Sequence, residues 1–203
     1  MTPAAAPEPT HPDAPRPRAL LVIDVQDGFD DTAYWGPTSN PAAEQNIAAL
    51  LRIWREQGRG PVVVVRHDST SPQSPLHPRA RGNRVQGLVG ADDADLLVTK
   101  QVNSAFLGDP DLRAWLDAAG IRDLVLCGIQ TNMCVETTAR MGGNLGFAVT
   151  VVLDATRTFD LAATVPGAGV VTLSADELMR ATAVNLAGGG FAAIATTAEV
   201  VAG

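Results

Sequence analysis

The most constraining feature of this chain is the way its hydrophobic period changes along its length. Residues 19–24, 61–66, 95–99, 123–127 and 148–153 are short, unbroken aliphatic or β-branched runs without polar alternation, the pattern of strands buried on both faces. A sixth run at 191–195 is weaker. Between them lie stretches with helical spacing. Residues 41–57 carry Ile47, Leu50, Leu51 and Trp54 on one face and stop at Gly58 and Pro61; residues 111–119 carry Leu112, Trp115 and Leu116 before Gly120. Residues 133–145 and 175–186 complete the helical set, although the apolar face of 175–186 says no more than core packing. Strands alternating with helices pair in parallel through right-handed crossovers. The expected fold is therefore α/β, a three-layer α/β/α sandwich around a mainly parallel, six-stranded, doubly wound sheet.

Composition narrows what such a sandwich does. The formal charge of −7 repels phosphate backbones, so no nucleic-acid partner is expected. Two cysteines are too few for a disulfide framework and three histidines leave little for a zinc cage, which makes the cytoplasm the expected compartment. No apolar run approaches the roughly 18 residues that cross a bilayer, so no membrane role is expected. Residues 1–17 hold six of the fourteen prolines and almost no large apolar side chains. They read as a flexible tail ahead of one domain over residues 18–203.

In open parallel sheets ligands bind beyond the carboxyl ends of the strands. Dinucleotide, phosphate-loop, serine-elbow and zinc-protease signatures are all absent there. What that edge does hold is Cys134, in the segment Gly128-Ile-Gln-Thr-Asn-Met-Cys134-Val-Glu136. Thr131 or Asn132 is a natural N-cap, which puts Cys134 in the first turn of a helix, where free N–H groups favour a thiolate and can donate to an oxyanion. Cys127, within the run Leu-Val-Leu-Cys, reads as inert packing. A thiol nucleophile needs a proton acceptor. His67 past the second strand and Asp24 at the end of the first are both candidates, and Lys100 after the third brings a cation to the same rim. Local sequence alone also allows a loop histidine, a turn-capping aspartate and a surface lysine at these positions.

Taken together, Val22-Ile-Asp24-Val-Gln26, Lys100 with Asn103-Ser-Ala-Phe106, and Gly128-Ile-x-Thr-Asn-x-Cys134-Val-Glu136 resemble the three signatures of the isochorismatase-like cysteine hydrolase superfamily. The resemblance covers residue 18 to the C-terminus. It implies an Asp24–Lys100–Cys134 triad for acyl transfer and makes His67 a pocket residue. It also implies a cis peptide between Ile129 and Gln130, with the Gln130 and Cys134 N–H groups as oxyanion hole. Gln26, Trp35, His67, Phe106 and Gln130 are the expected substrate contacts. Nicotinamidase-like members hold a metal with a D-x-H segment; here residues 67–77 run from His67-Asp68 to His77 in a different order, so neither a metal nor another cofactor is expected. The segments around Asp154-Ala-Thr156 and Thr158-Phe-Asp160 look most like the streptothricin hydrolase branch, which opens a lactam. The expected partner is thus a small amide or lactam, with a homodimer or homotetramer as the family-like assembly. Other expectations of the same kind are a ureido or carbamoyl amidohydrolase, or a non-catalytic ligand-binding member. In a strand order 3-2-1-4-5-6, Lys100 starts far from Asp24, and the loop 101–108 is expected to bring it in.

Overall fold

The structure is a computed structural model and describes residues 17–203. The tail expected over residues 1–17 lies, apart from Pro17, outside the described residues. Eight strands are present, β1 (Arg18–Ile23), β2 (Val62–His67), β3 (Leu96–Lys100), β4 (Asp123–Ile129), β5 (Ala148–Arg157), β6 (Leu161–Val165), β7 (Gly169–Leu173) and β8 (Ala193–Ala195). The helices are α1 (Thr32–Trp35), α2 (Ala43–Gln57), α3 (Leu112–Ala118), α4 (Glu136–Asn144), α5 (Ala175–Gly188) and α6 (Thr197–Ala202). Six strands form one parallel sheet in the order β3-β2-β1-β4-β5-β8. This is the expected doubly wound α/β sandwich.

Strand alternation divides the core into two layers. In β1, Ala19, Leu21 and Ile23 face the side covered by Leu112 and Leu116 of α3, Ala139 of α4 and Leu186 of α5. Leu20 and Val22 face the other side, against Ile47, Leu50, Leu51 and Trp54 of α2. Both faces of the strand are dry, which is why its sequence shows no alternation. Gly58 takes the left-handed conformation that closes α2, with φ of 59°.

The sheet departs from expectation in two places. β4 runs on to Ile129 and β5 to Arg157, and their register jumps from Leu126↔Val151 to Gly128↔Thr156, so β5 bulges where it passes the end of β4. The second is a hairpin, β6 and β7, that pairs antiparallel with itself and with no strand of the main sheet. Every residue of β6 is exposed, and Val170 in β7 is 74% exposed. Residues 161–173 contain no charged side chain. Among the described residues no helix is long and apolar enough to cross a membrane.

Candidate active site

Three strand ends set the site. Ile23 pairs with Val65 on one side and Gly128 on the other, so the residue after it, Asp24, emerges at the middle of the carboxyl edge. Its backbone is left-handed, with φ of 53°, an uncommon conformation for a residue with a side chain. The Asp24 N–H is held by the Val65 carbonyl at 2.9 Å. Opposite, a Cβ on Gly128 would lie 2.0 Å from the Ile23 carbonyl oxygen, so only glycine lets β1 and β4 come this close.

Lys100 closes β3 directly opposite His67 in register. Its side chain, fully buried, crosses the end of β2 and puts Nζ 2.6 Å from Asp24 Oδ2. The loop 101–108 is not needed to deliver it, because the reach of an extended lysine and an aspartate together spans two strand spacings of roughly 4.8 Å. The same ammonium lies 3.3 Å from His67 Nδ1 and 3.3 Å from Cys134 Sγ.

Cys134 stands in a single π-helical turn, Thr131–Val135, that runs into α4. The expected capping by Thr131 or Asn132 does not occur. Gln130 is the N-cap and no side chain caps the turn; its carbonyl accepts the N–H groups of Met133 and Val135 instead. Thr131 and Asn132 bind sideways. The Thr131 hydroxyl donates to Thr156 at 2.9 Å, and the Thr158 hydroxyl donates to Asn132, so the bulged end of β5 holds the turn. The Ile129–Gln130 peptide is cis.

The electrostatics also correct an expectation. The helix start was expected to favour a thiolate, yet burial pushes the Cys134 thiol well above its ordinary range, and the neighbouring Asp24 carboxylate pushes it further against the pull of Lys100. The resting sulfur is therefore a protonated thiol. Burial alone would lower Lys100, but Asp24 and Cys134 beside it reverse the balance and hold it above the usual lysine value, so it stays charged. Burial and the Lys100 charge lower His67, which is neutral at pH 7. Asp24 Oδ1 is buried without a hydrogen-bond partner. An unmet acceptor in the interior is costly, and the carboxylate lies within 4.8 Å of the Cys134 sulfur.

The other expected pocket residues divide. His67 is half-buried and belongs to the cluster. Trp35 donates its indole N–H to the Gly28 carbonyl at 2.8 Å and stacks on Phe159 at 5.3 Å, part of an aromatic wall that includes Phe29 and packs on Ile129. Gln26 and Phe106 are both buried. Gln26 is fully buried, its amide donating to the His67 and Asn83 carbonyls and accepting the His67 N–H, so it ties the ends of β1 and β2 together. Phe106 is a core residue stacked on Phe147 at 5.5 Å. Asn103, which had no role assigned from sequence, brings Oδ1 to 3.9 Å from Cys134 Sγ.

Asp24, His67 and Cys134 offer an oxygen, a nitrogen and a sulfur that all lie within 4.8 Å of one another, a donor set that could hold a metal. Lys100 Nζ contacts all three residues. The ammonium thus takes the place a cation would occupy, and a metal bound there would have to displace it.

The isochorismatase domain model matches residues 18–197. The isochorismatase family protein YrdC of Bacillus subtilis is 40% identical over 144 residues, 71% of this chain and 75% of its own length. Streptothricin hydrolase of Streptomyces noursei is 34% identical over 72% of this chain but only 51% of its own length. Nicotinamidase 3 of Arabidopsis thaliana is 32% identical over 84% of this chain and 81% of its own. A crystal structure of an isochorismatase family protein from Chromobacterium violaceum superposes with a TM-score of 0.82 at 38% identity, covering 97% of both chains. Matched along nearly all its described length in sequence, and closely in fold, the chain belongs to the isochorismatase family.

Proposed function

We propose that this protein is a cysteine amidohydrolase that cleaves a carbon–nitrogen bond of a small amide through a thioester on Cys134, without calling on a metal. The observation that carries the reading is the junction at Lys100 Nζ, 2.6 Å from Asp24 Oδ2 and 3.3 Å from Cys134 Sγ. It joins a carboxylate with an unpartnered oxygen to a buried thiol.

Asp24 Oδ1 takes the thiol proton as Sγ bonds to the carbonyl carbon. The carbonyl π electrons move onto oxygen, and the Gln130 and Cys134 backbone N–H groups stabilise that oxyanion. Collapse expels the nitrogen, which leaves with the proton held by Asp24, and a thioester remains. Water, deprotonated by the same Asp24, then attacks the thioester carbon and returns the thiol. Lys100 stays charged throughout and offsets the negative charge that moves between Asp24, sulfur and oxyanion.

Relatives named as a nicotinamidase and a streptothricin hydrolase support the amide class. Among amides, the streptolidine lactam of streptothricin-type antibiotics is the finer assignment, which rests on the likeness to streptothricin hydrolase. The test is a panel of small amides, including ureido compounds and this lactam, with intact-protein mass spectrometry on rapid quenching. An acyl adduct on Cys134 and loss of turnover in Cys134→Ala are expected. Turnover surviving in Cys134→Ala would overturn the mechanism.

A further inference from the structure

Asp24, Lys100 and Cys134 account for the proposed chemistry and leave two polar side chains beside the nucleophile without a role, His67 and Asn103. Asn103 Oδ1 is 3.9 Å from Cys134 Sγ. The Asp24 and Lys100 side chains are fully buried and His67 is half-buried, whereas Asn103 is exposed. Asn103 is thus the exposed polar group in contact with the sulfur.

That amide stands on a firm base. Lys100, three residues before it, is anchored in β3, and Ser104, Ala105 and Phe106, which follow it, are buried. The Ser104 hydroxyl accepts the Phe106 N–H at 3.3 Å, and the Ala105 N–H donates to the Thr138 hydroxyl at 3.0 Å. Thr138 lies one turn beyond Cys134, so nucleophile and amide are held from the same helical scaffold.

Two acceptors lie near the thiol, Asn103 Oδ1 at 3.9 Å and the Asp24 carboxylate, an oxygen of which is within 4.8 Å of the sulfur. Only transfer to Asp24 produces a nucleophile. We propose that Asn103 is a substrate-recognition residue whose Oδ1 accepts the N–H of the scissile amide. By filling that acceptor the substrate frees the thiol from its hydrogen bond to Asn103 and leaves it to turn toward Asp24, the base that takes its proton. The same contact turns the nitrogen lone pair toward Asp24, from which it takes its proton on leaving; Asn103 itself exchanges none. The enzyme is therefore selective for amides that carry an N–H over esters and N,N-disubstituted amides of the same acyl group.

The inference rests on Cys134 being the nucleophile, and the experiment separates the two. One acyl group is offered as its N–H amide, its N,N-dimethylamide and its ester to the wild type, Asn103→Ala and Asn103→Asp, with kcat/KM and Cys134 acylation followed for each. In the wild type the N–H amide is expected to lead the dimethylamide. Asn103→Ala should lower kcat/KM for the N–H amide about tenfold, the scale of one lost hydrogen bond, and leave the ester within about twofold. Asn103→Asp retains an acceptor oxygen and should keep the amide-to-ester ratio even where both rates fall. The ratio is internal to each variant, so a partly misfolded fraction cancels. Equal losses on amide and ester, or no loss on either, with Cys134 still acylated, would overturn the role of Asn103 alone. No adduct on Cys134 from any of the three would remove both readings.

Discussion

The two cysteines lie seven positions apart and face opposite layers of the sandwich, Cys127 against the layer of α2 and Cys134 against that of α3, α4 and α5. Both are free, both are buried, and burial raises both thiols. Around Cys127 burial is the cause of the shift, and its sulfur lies 3.7 Å from the Leu21 carbonyl. Around Cys134 an ammonium, a carboxylate, an imidazole and an amide converge. Burial by itself makes a sulfur inert. What changes Cys134 is a charge pair at its side, arranged so that losing the proton to Asp24 leaves the net charge of the pocket unchanged.

The contrast can be tested first at its strongest point. Cys134→Ala should lower kcat/KM by about 10³-fold or more, as removal of a nucleophile does, and Cys127→Ala should leave it within about twofold. Next comes the ion pair. Lys100→Met leaves the buried Asp24 charge without a partner and should destabilise the fold by about 3–5 kcal/mol. Asp24→Asn combined with Lys100→Met should recover a substantial part of that loss in urea titrations, because both charges are then gone. A double variant no more stable than the single one would break the argument that the pair is held by mutual neutralisation.

A smaller effect, in which the two cysteines should behave alike, comes from pH. Each folded thiol sits above its ordinary value of 9.0, so the folded chain holds the proton more tightly than the unfolded one. The stability this gives is fully present below pH 9 and declines above it, by roughly 1.4 kcal/mol per pH unit for each cysteine. Urea midpoints at pH 8 and 10.5 should show the decline, and Cys127→Ala should flatten it. The smallest difference is in labelling. Cys134 is 7% exposed and Cys127 0%, so iodoacetamide should modify the native protein slowly and only at Cys134, with peptide mapping as the readout.

Much of this was legible in the sequence because dry strands advertise themselves. The runs in β1 and β2 give nearly the observed bounds, and their ends place Asp24 and His67 at the edge. Local sequence placed Lys100 at that rim, and only the family resemblance made it a contact of Asp24 and Cys134. That it crosses β2 depends on side-chain reach and on the burial of its stem, neither of which is a local property. Gln26 and Phe106 enter as substrate contacts through the resemblance; the packing that makes one amide a strut between β1 and β2 and one ring part of the core is not a local property of the sequence. The hairpin has a turn signal, Pro166-Gly167-Ala168-Gly169, between short β-branched runs. Its strands cover no core, so they lack the unbroken apolar run that marks the others.

Among the described residues β6 and β7 pair with no other strand, and a free two-stranded ribbon is marginal in water. Its opening does not have to wait for the sheet to come apart. In a deuterium-exchange time course this segment would trade its amide protons early, while β1 and β4 hold theirs until the whole molecule lets go. It is a region of the molecule that keeps its own clock.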